Sequence, residues 1–165
     1  MIFNPYNMFK KGYIIKGSKE CLAQNGYDLR VDDIFEATTD LDSVLTINDK
    51  ELKNNAYVIV KPNYDKDKNL YYFLKRNTPY IVTTIESVYI PKNAVGIIFS
   101  RSTFNRNGII VRGTLFDSGF KGQPSLAIYP FLNVKIAKET RIAQIIFVEA
   151  KAYKLYNGKY QENEK

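Results

Sequence analysis

Short runs of β-branched and aromatic residues recur along this chain with turn signals between them, and that pattern leaves little room for anything but sheet. AYVIV at 56–60, LYYFL at 70–74, YIVTT at 80–84 and AVGIIF at 94–99 are followed by GIIV, SLAIY and RIAQIIFV. Runs this short, bounded by Gly, Pro, Asn and Asp, read as strands of a barrel or two-sheet sandwich. The expectation is an all-β protein. The stretch KPNYDKDKN at 61–69 reads as an exposed hairpin connection. Two short helices are expected, one from Ser18 to Asn25–Gly26 and one from Ser102 or Thr103 to Asn107–Gly108, where Asn-Gly is a suitable C-terminal cap. With 165 residues and no evident repeat or linker, one domain over 1–165 is expected, with 154–165 as a flexible tail.

Composition removes whole classes of chemistry. The chain has no histidine and a single cysteine, Cys21. Ser-His-Asp and Cys-His catalysis are excluded, and so is the His/Cys/Cys or three-cysteine zinc site of the zinc deaminases. A metal would have to be a hard ion held by oxygen, with magnesium carried on substrate phosphates the natural choice. Cys21 is expected to serve packing. No apolar run approaches the roughly 18 residues of a membrane span, and MIFNPYNMFKKGYIIKG lacks the continuous apolar stretch of a signal peptide. A cytoplasmic location and no membrane partner are expected. The formal charge of +7 favours anionic partners and also serves plain solubility; nucleic-acid binding is not expected.

Four segments hold candidate site residues, and each has a plain structural reading beside the functional one. In NGYDLRVDD, alternation puts Tyr27, Leu29 and Val31 on one strand face and Asp28, Arg30 and Asp32 on the other. A solvated edge strand explains that polar face as readily as a site does. RSTFNRNG sets Arg101 and Arg106 about one helical turn apart around the Ser102 and Thr103 hydroxyls, which fits a phosphate cradle at a helix start or a capped, solvated turn. In FDSGFKG, Asp117 is either a turn former or a carboxylate fixed at a hairpin tip to orient a water. Phe120 beside it is either core or a flat apolar surface against a deoxyribose. In RIAQIIFV, Gln144 shares a face with Ile142 and Ile146. A buried amide left unpaired costs ~1–3 kcal/mol, so a ligand phosphate, a neighbouring subunit or a backbone group should meet it. Taken together the segments point to a nucleoside triphosphate as substrate.

QNGYDLRV at 24–31, SRSTFNRNG, LFDSGFKG, RIAQIIF and NGKYQ, in this order, resemble the five motifs of the dUTPase and dCTP deaminase superfamily, and most closely its archaeal-type dUTPase branch. The resemblance implies a distorted β-barrel or jelly-roll subunit, a homotrimer, and active sites at subunit interfaces. It implies that Arg101, Ser102 and Thr103 contact phosphates, that Gln144 holds the phosphate chain, and that Arg106 reaches phosphate from its own or a neighbouring subunit. Gly113, Thr114 and Phe116 would read the base, Phe120 would pack on the sugar, and Tyr160 and Gln161 of the tail would close on the substrate. Asp117 would orient the attacking water, and Asp28 would help position Mg2+ through water.

Deaminases of the superfamily place a glutamate in a Leu-Glu-Leu or Leu-Glu-Phe pattern after the third motif, where this chain has Leu126-Ala127-Ile128. Alanine cannot shuttle a proton. The expected activity is therefore hydrolysis of dUTP to dUMP and pyrophosphate, with dCTP deamination, alone or alongside it, and catalytically weak nucleotide binding as the alternatives. Glu162 and Glu164 after NGKYQ would repel a triphosphate, so weak closure by the tail is expected.

Overall fold

A computed structural model describes residues 1–38, 57–158 and 161. Helix α1 (Pro5–Lys10) leads into β1 (Ile14–Ile15), β2 (Tyr27–Ala37), β3 (Tyr57–Ile59), β4 (Asn63–Tyr64), β5 (Leu70–Leu74) and β6 (Tyr80–Thr84). Then come β7 (Ser87–Tyr89), β8 (Ala94–Ser100), helix α2 (Ser102–Arg106), β9 (Ile109–Arg112) and β10 (Leu115–Phe116). The last strands are β11 (Lys121–Gly122), β12 (Ser125–Pro130), β13 (Val134–Ala137) and β14 (Arg141–Glu149). The all-β class is as the sequence implies.

The principal sheet has eight strands in the order β10-β8-β14-β2-β6-β12-β9, with β3 added beside β2, and two three-stranded sheets, β1-β7-β11 and β13-β5-β4, flank it. Curling is achieved in β2. Its first half pairs with β14 and its second half with β6 and β3, with a register shift between Val31 and Ile34. Such an irregularity bends a strand and increases its twist, which lets one strand serve two halves of a curved sheet. The inward residues Tyr27, Leu29, Val31 and Ile34 are fully buried, together with Val82, Leu126, Ile145 and Phe147 from neighbouring strands.

The apolar runs hold strands at the expected places, and the one in AYVIV, β3, lies at the surface. Tyr57, Val58 and Ile59 are about half exposed, because β3 touches only the end of β2. The 61–69 connection holds β4, and its turn is closed by Asp65 Oδ1 accepting the N–H groups of Asp67 (2.9 Å) and Asn69 (2.8 Å). Those bonds, the Asn69 side chain's first, hold the Asp65 carboxyl below its ordinary value.

The helix expected from Ser18 contracts to a single 3-10 turn, Lys19–Cys21. The Tyr27 hydroxyl accepts the Ser18 N–H at 2.6 Å and donates to the Ser18 carbonyl at 3.0 Å, which ties down the backbone where a longer helix would start. Helix α1 is not anticipated from the sequence, although Asn4 caps it through the N–H groups of Tyr6 and Asn7 and Pro5 occupies its first turn.

One ion pair anchors the interior. Glu86 is fully buried; its carboxylate accepts the Arg30 N–H at 2.8 Å and Arg30 Nε at 2.7 Å. The same carboxylate helps raise the Cys21 thiol, although burial is the larger cause, and Cys21 packs in the core as expected. Removing one member of a buried pair strands the other. Glu86→Ala should therefore lower unfolding free energy by roughly 3 kcal/mol, the low end of the range for such pairs because Arg30 is partly solvated. A change under about 1 kcal/mol in denaturant melts would contradict that role.

Candidate active site

Strand β8 carries the candidate residues in two clusters, one near each end. At its start, Leu115 and Phe116 of β10 pair with Ile97 and Gly96. The chain then turns through Asp117, where the Phe120 N–H donates to the Asp117 carbonyl at 3.0 Å. Ser118, 1% exposed, donates its hydroxyl to the Ala94 carbonyl at 2.6 Å, and the Gly119 N–H donates to the Ile90 carbonyl at 2.9 Å. Asp117 is thus a turn residue, and the hairpin expected there is an open one, its arms β10 and β11 pairing with β8 and β7 and not with each other; the Asp117 carboxylate is exposed. Among the described residues no hydrogen bond or ion pair engages that carboxylate.

Asp117 opens onto a hollow of about 510 Å³ lined by Thr114, Leu115, Phe116 and Phe120 from the hairpin region, Tyr57, Ile81, Gln123 and Ser125 from the adjoining sheet, and Tyr156. That volume lies within the usual range for small-molecule sites. Its wall is aromatic: Phe116 and Phe120 have ring centroids 4.9 Å apart, and Tyr156 meets Phe120 edge-on at 5.3 Å. Phe120 therefore fills both of its readings, being 6% exposed and also lining the hollow. Gly113 has a packing reason of its own, since a Cβ there would collide with the Ile98 carbonyl. Ala127 is exposed on β12, paired with Ile81 and Arg112, two residues along the same face from Ser125.

At the far end of β8 the chain brings Asp28, Arg101 and Gln144 together. Asp28 is 4% exposed. Its Oδ1 accepts from Gln144 Nε2 at 3.1 Å, and its Oδ2 lies 3.5 Å from Arg101 Nε and 3.6 Å from Arg141 Nη1. Strand β2 lies between β14 and β6, so the solvated edge strand is not what the structure shows. Within the protomer Gln144 meets a carboxylate on the neighbouring strand and not a backbone group.

Arg141 is the residue sequence reasoning missed at this end. Alternation puts it opposite Gln144, but the β14–β2 register shifts between Arg141 and Ala143, and that irregularity carries its guanidinium to the same carboxylate. Tyr57, Gln123, Ser125 and Tyr156 were missed in the hollow, where they are contributed by segments far apart in the chain. No local pattern marks them.

Ser102 and Thr103 are exposed in the first turn of α2. The helix has five residues, so it offers little dipole, and a cradle here would rest on side chains. Arg106 closes the helix, its side chain exposed and without a hydrogen bond or ion pair among the described residues. Tyr160 lies outside the described residues. Gln161 is bonded to the hairpin: Nε2 donates to the Gly119 carbonyl and Oε1 accepts the Lys121 N–H, each at 3.1 Å.

The two clusters are not adjacent within one protomer. Asp117 follows the partner of Gly96 and Arg101 follows Ser100, so about six residues of extended strand, roughly 20 Å, separate them.

A family model described as dCTP deaminase-like matches residues 9–150. The chain belongs to that family. Across it, a deoxyuridine 5'-triphosphate nucleotidohydrolase of Methanocaldococcus jannaschii is 30% identical over 152 residues, covering 92% of this chain and 94% of that protein. A dCTP deaminase of Nitrosomonas europaea is 33% identical over 143 residues, covering 82% and 72%. Among solved structures, the dCTP deaminase of Agrobacterium tumefaciens superposes with a TM-score of 0.66 at 16% identity, over 88% of this chain and 47% of that one. A dUTPase variant of Staphylococcus bacteriophage 80alpha, solved with dUpNHpp, superposes with a TM-score of 0.53 at 15% identity, over 90% and 97%. The family's members carry both names, and both solved structures share the fold of this dCTP deaminase-like chain.

A resident metal does not fit what this family member offers at Asp28. No group of three acidic, histidine or cysteine side chains converges among the described residues, and the Asp28 carboxylate is already shared by Gln144, Arg101 and Arg141. Asp28→Asn should leave the two guanidinium groups without a counter-charge and cost ~1–3 kcal/mol of stability. Urea unfolding checks it, and an unchanged midpoint would mean that the carboxylate is not holding them.

Proposed function

We propose that the chain hydrolyses dUTP to dUMP and pyrophosphate. The observation that carries this reading is the hollow's carboxylate content. Among the described lining residues Asp117 alone bears one, while the adjoining sheet face presents the methyl group of Ala127. A carboxylate without a protein partner can hold a water and take its proton. Deamination needs a proton shuttle at the base, and Ala127 offers none.

In the proposed reaction, a water held by Asp117 attacks the α-phosphorus in line. The new P–O bond forms as the bond to the bridging oxygen breaks, pyrophosphate leaves, and the water's proton passes to the Asp117 carboxylate. The hollow takes the nucleoside, with Gly113, Thr114 and Phe116 beside the base and Phe120 against the deoxyribose. Arg101, Ser102, Thr103, Gln144 and Arg106 take the phosphates, with positive charge offsetting what develops on the leaving group. Magnesium belongs to the substrate, carried on its phosphate oxygens, where it adds to that neutralisation.

The roughly 20 Å between the clusters supports a site completed by a second copy of the chain, with the hairpin from one protomer and the Arg101 end from its neighbour. A trimer with interfacial sites, which the family resemblance implies, meets that requirement.

The test is to incubate the protein with magnesium and dUTP or dCTP and to measure pyrophosphate and ammonia separately. Pyrophosphate from dUTP without ammonia from dCTP is expected, and Asp117→Asn should lower turnover by about 10²–10⁴. Ammonia from dCTP, or dUTP bound without pyrophosphate release, would overturn the assignment.

A further inference from the structure

Strand β11 is the outer strand of its sheet, and a strand there leaves a row of backbone groups without ladder partners. On its inner side β11 is served by β7: the Ile90 N–H donates to the Phe120 carbonyl at 2.8 Å, and Lys121 pairs with Tyr89. Among the described residues no strand pairs with the outer side. The Gln161 side chain does meet it: its carboxamide donates to the Gly119 carbonyl and accepts the Lys121 N–H, both at 3.1 Å. A planar amide with one donor edge and one acceptor oxygen is the side-chain equivalent of a peptide group, and here it stands where the next strand's peptide would be.

Leu155 and Tyr156 lie along the same segment. The Tyr156 N–H donates to the Ser118 carbonyl at 2.8 Å, and the Tyr156 ring packs edge-on against Phe120. Leu155 lies over Gly119, whose φ of 86° leaves it left-handed and without a Cβ, and a Cβ there would come within 3.3 Å of Leu155. The Gln161 N–H closes back on the Gly158 carbonyl at 3.2 Å. Phe120, which walls the hollow, thus lies between two backbone groups that Gln161 grips.

We infer that Gln161 is a positioning residue: it clamps the hairpin of its own protomer from outside and so fixes Phe120 as the sugar-facing wall of the hollow. It acts through the hairpin backbone and not by touching substrate, in contrast to the closing role that the family resemblance implies for it. This rests on the proposed dUTP hydrolysis for its kinetic consequence, while its structural part stands independently.

Two variants separate the requirements. Gln161→Ala deletes both hydrogen bonds. Gln161→Glu keeps the shape and an acceptor for Lys121 but sets a carboxylate oxygen against the Gly119 carbonyl. In the full-length protein, exchange of the Lys121 amide proton should accelerate about tenfold or more in Gln161→Ala. For both variants KM for dUTP should rise roughly threefold or more with kcat within about twofold, and the preference for dUTP over UTP should fall, because the sugar wall is loosened while the chemistry is untouched. Unchanged Lys121 exchange overturns the clamp. A fall in kcat at unchanged KM overturns the positioning role. If the wild-type protein releases no pyrophosphate from dUTP, the proposed reaction fails and Lys121 exchange alone decides the clamp.

Discussion

The pairing of β14 with β8 sets the scale on which everything else is arranged. Seven consecutive pairs, from Ala143 opposite Ser100 to Glu149 opposite Ala94, lock the two strands in register. A ladder of that length does not slip, because a one-residue shift would turn Ile145 and Phe147 out of the core. It therefore fixes how far the Asp117 hairpin at one end stands from the Arg101 turn at the other. Both clusters inherit their rigidity from the ladder: Ser118 is tied to Ala94 at its start, and the Arg101 N–H donates to the Ile142 carbonyl, at 3.2 Å, at its finish.

The two ends differ in chemistry for physical reasons. The Arg101 end concentrates charge around a buried carboxylate, with Gln144 completing the hydrogen bonding that burial demands. The hairpin end is apolar and aromatic, with one carboxylate among the described residues left facing water. An anionic polyphosphate suits the first and a nucleoside the second. The two surfaces stand about six strand residues apart, roughly 20 Å, and the functional reading joins them through a second copy of the chain.

Much of this was legible from residues. The runs that became β5, β6, β8, β9, β12 and β14 showed themselves because each is apolar on at least one face and bounded by turn formers, and Asn107–Gly108 marked the end of α2, with Gly108 at a φ of 70°. The two-residue strands β1, β4, β10 and β11 are too short to show a period, and their pairing is set by tertiary contact. Asp28 was found from its motif, but its burial was not, since alternation gives a face without telling whether another strand covers it. Arg141 was hidden by the register shift beside it. Gln161 was singled out as a tail residue, yet its grip on the hairpin depends on where the tail returns, which no local pattern encodes.

The most direct measurement mixes two disabled proteins. Arg101→Ala removes one end of β8 from use and Asp117→Asn the other, and each protein alone should be nearly inactive toward dUTP. If a working site takes its hairpin from one protomer and its Arg101 end from another, subunits exchanged at equal ratio should regain about one quarter of wild-type pyrophosphate release, since a quarter of the sites then combine two intact ends. A mixture no more active than either variant alone, with exchange verified, would contradict the account.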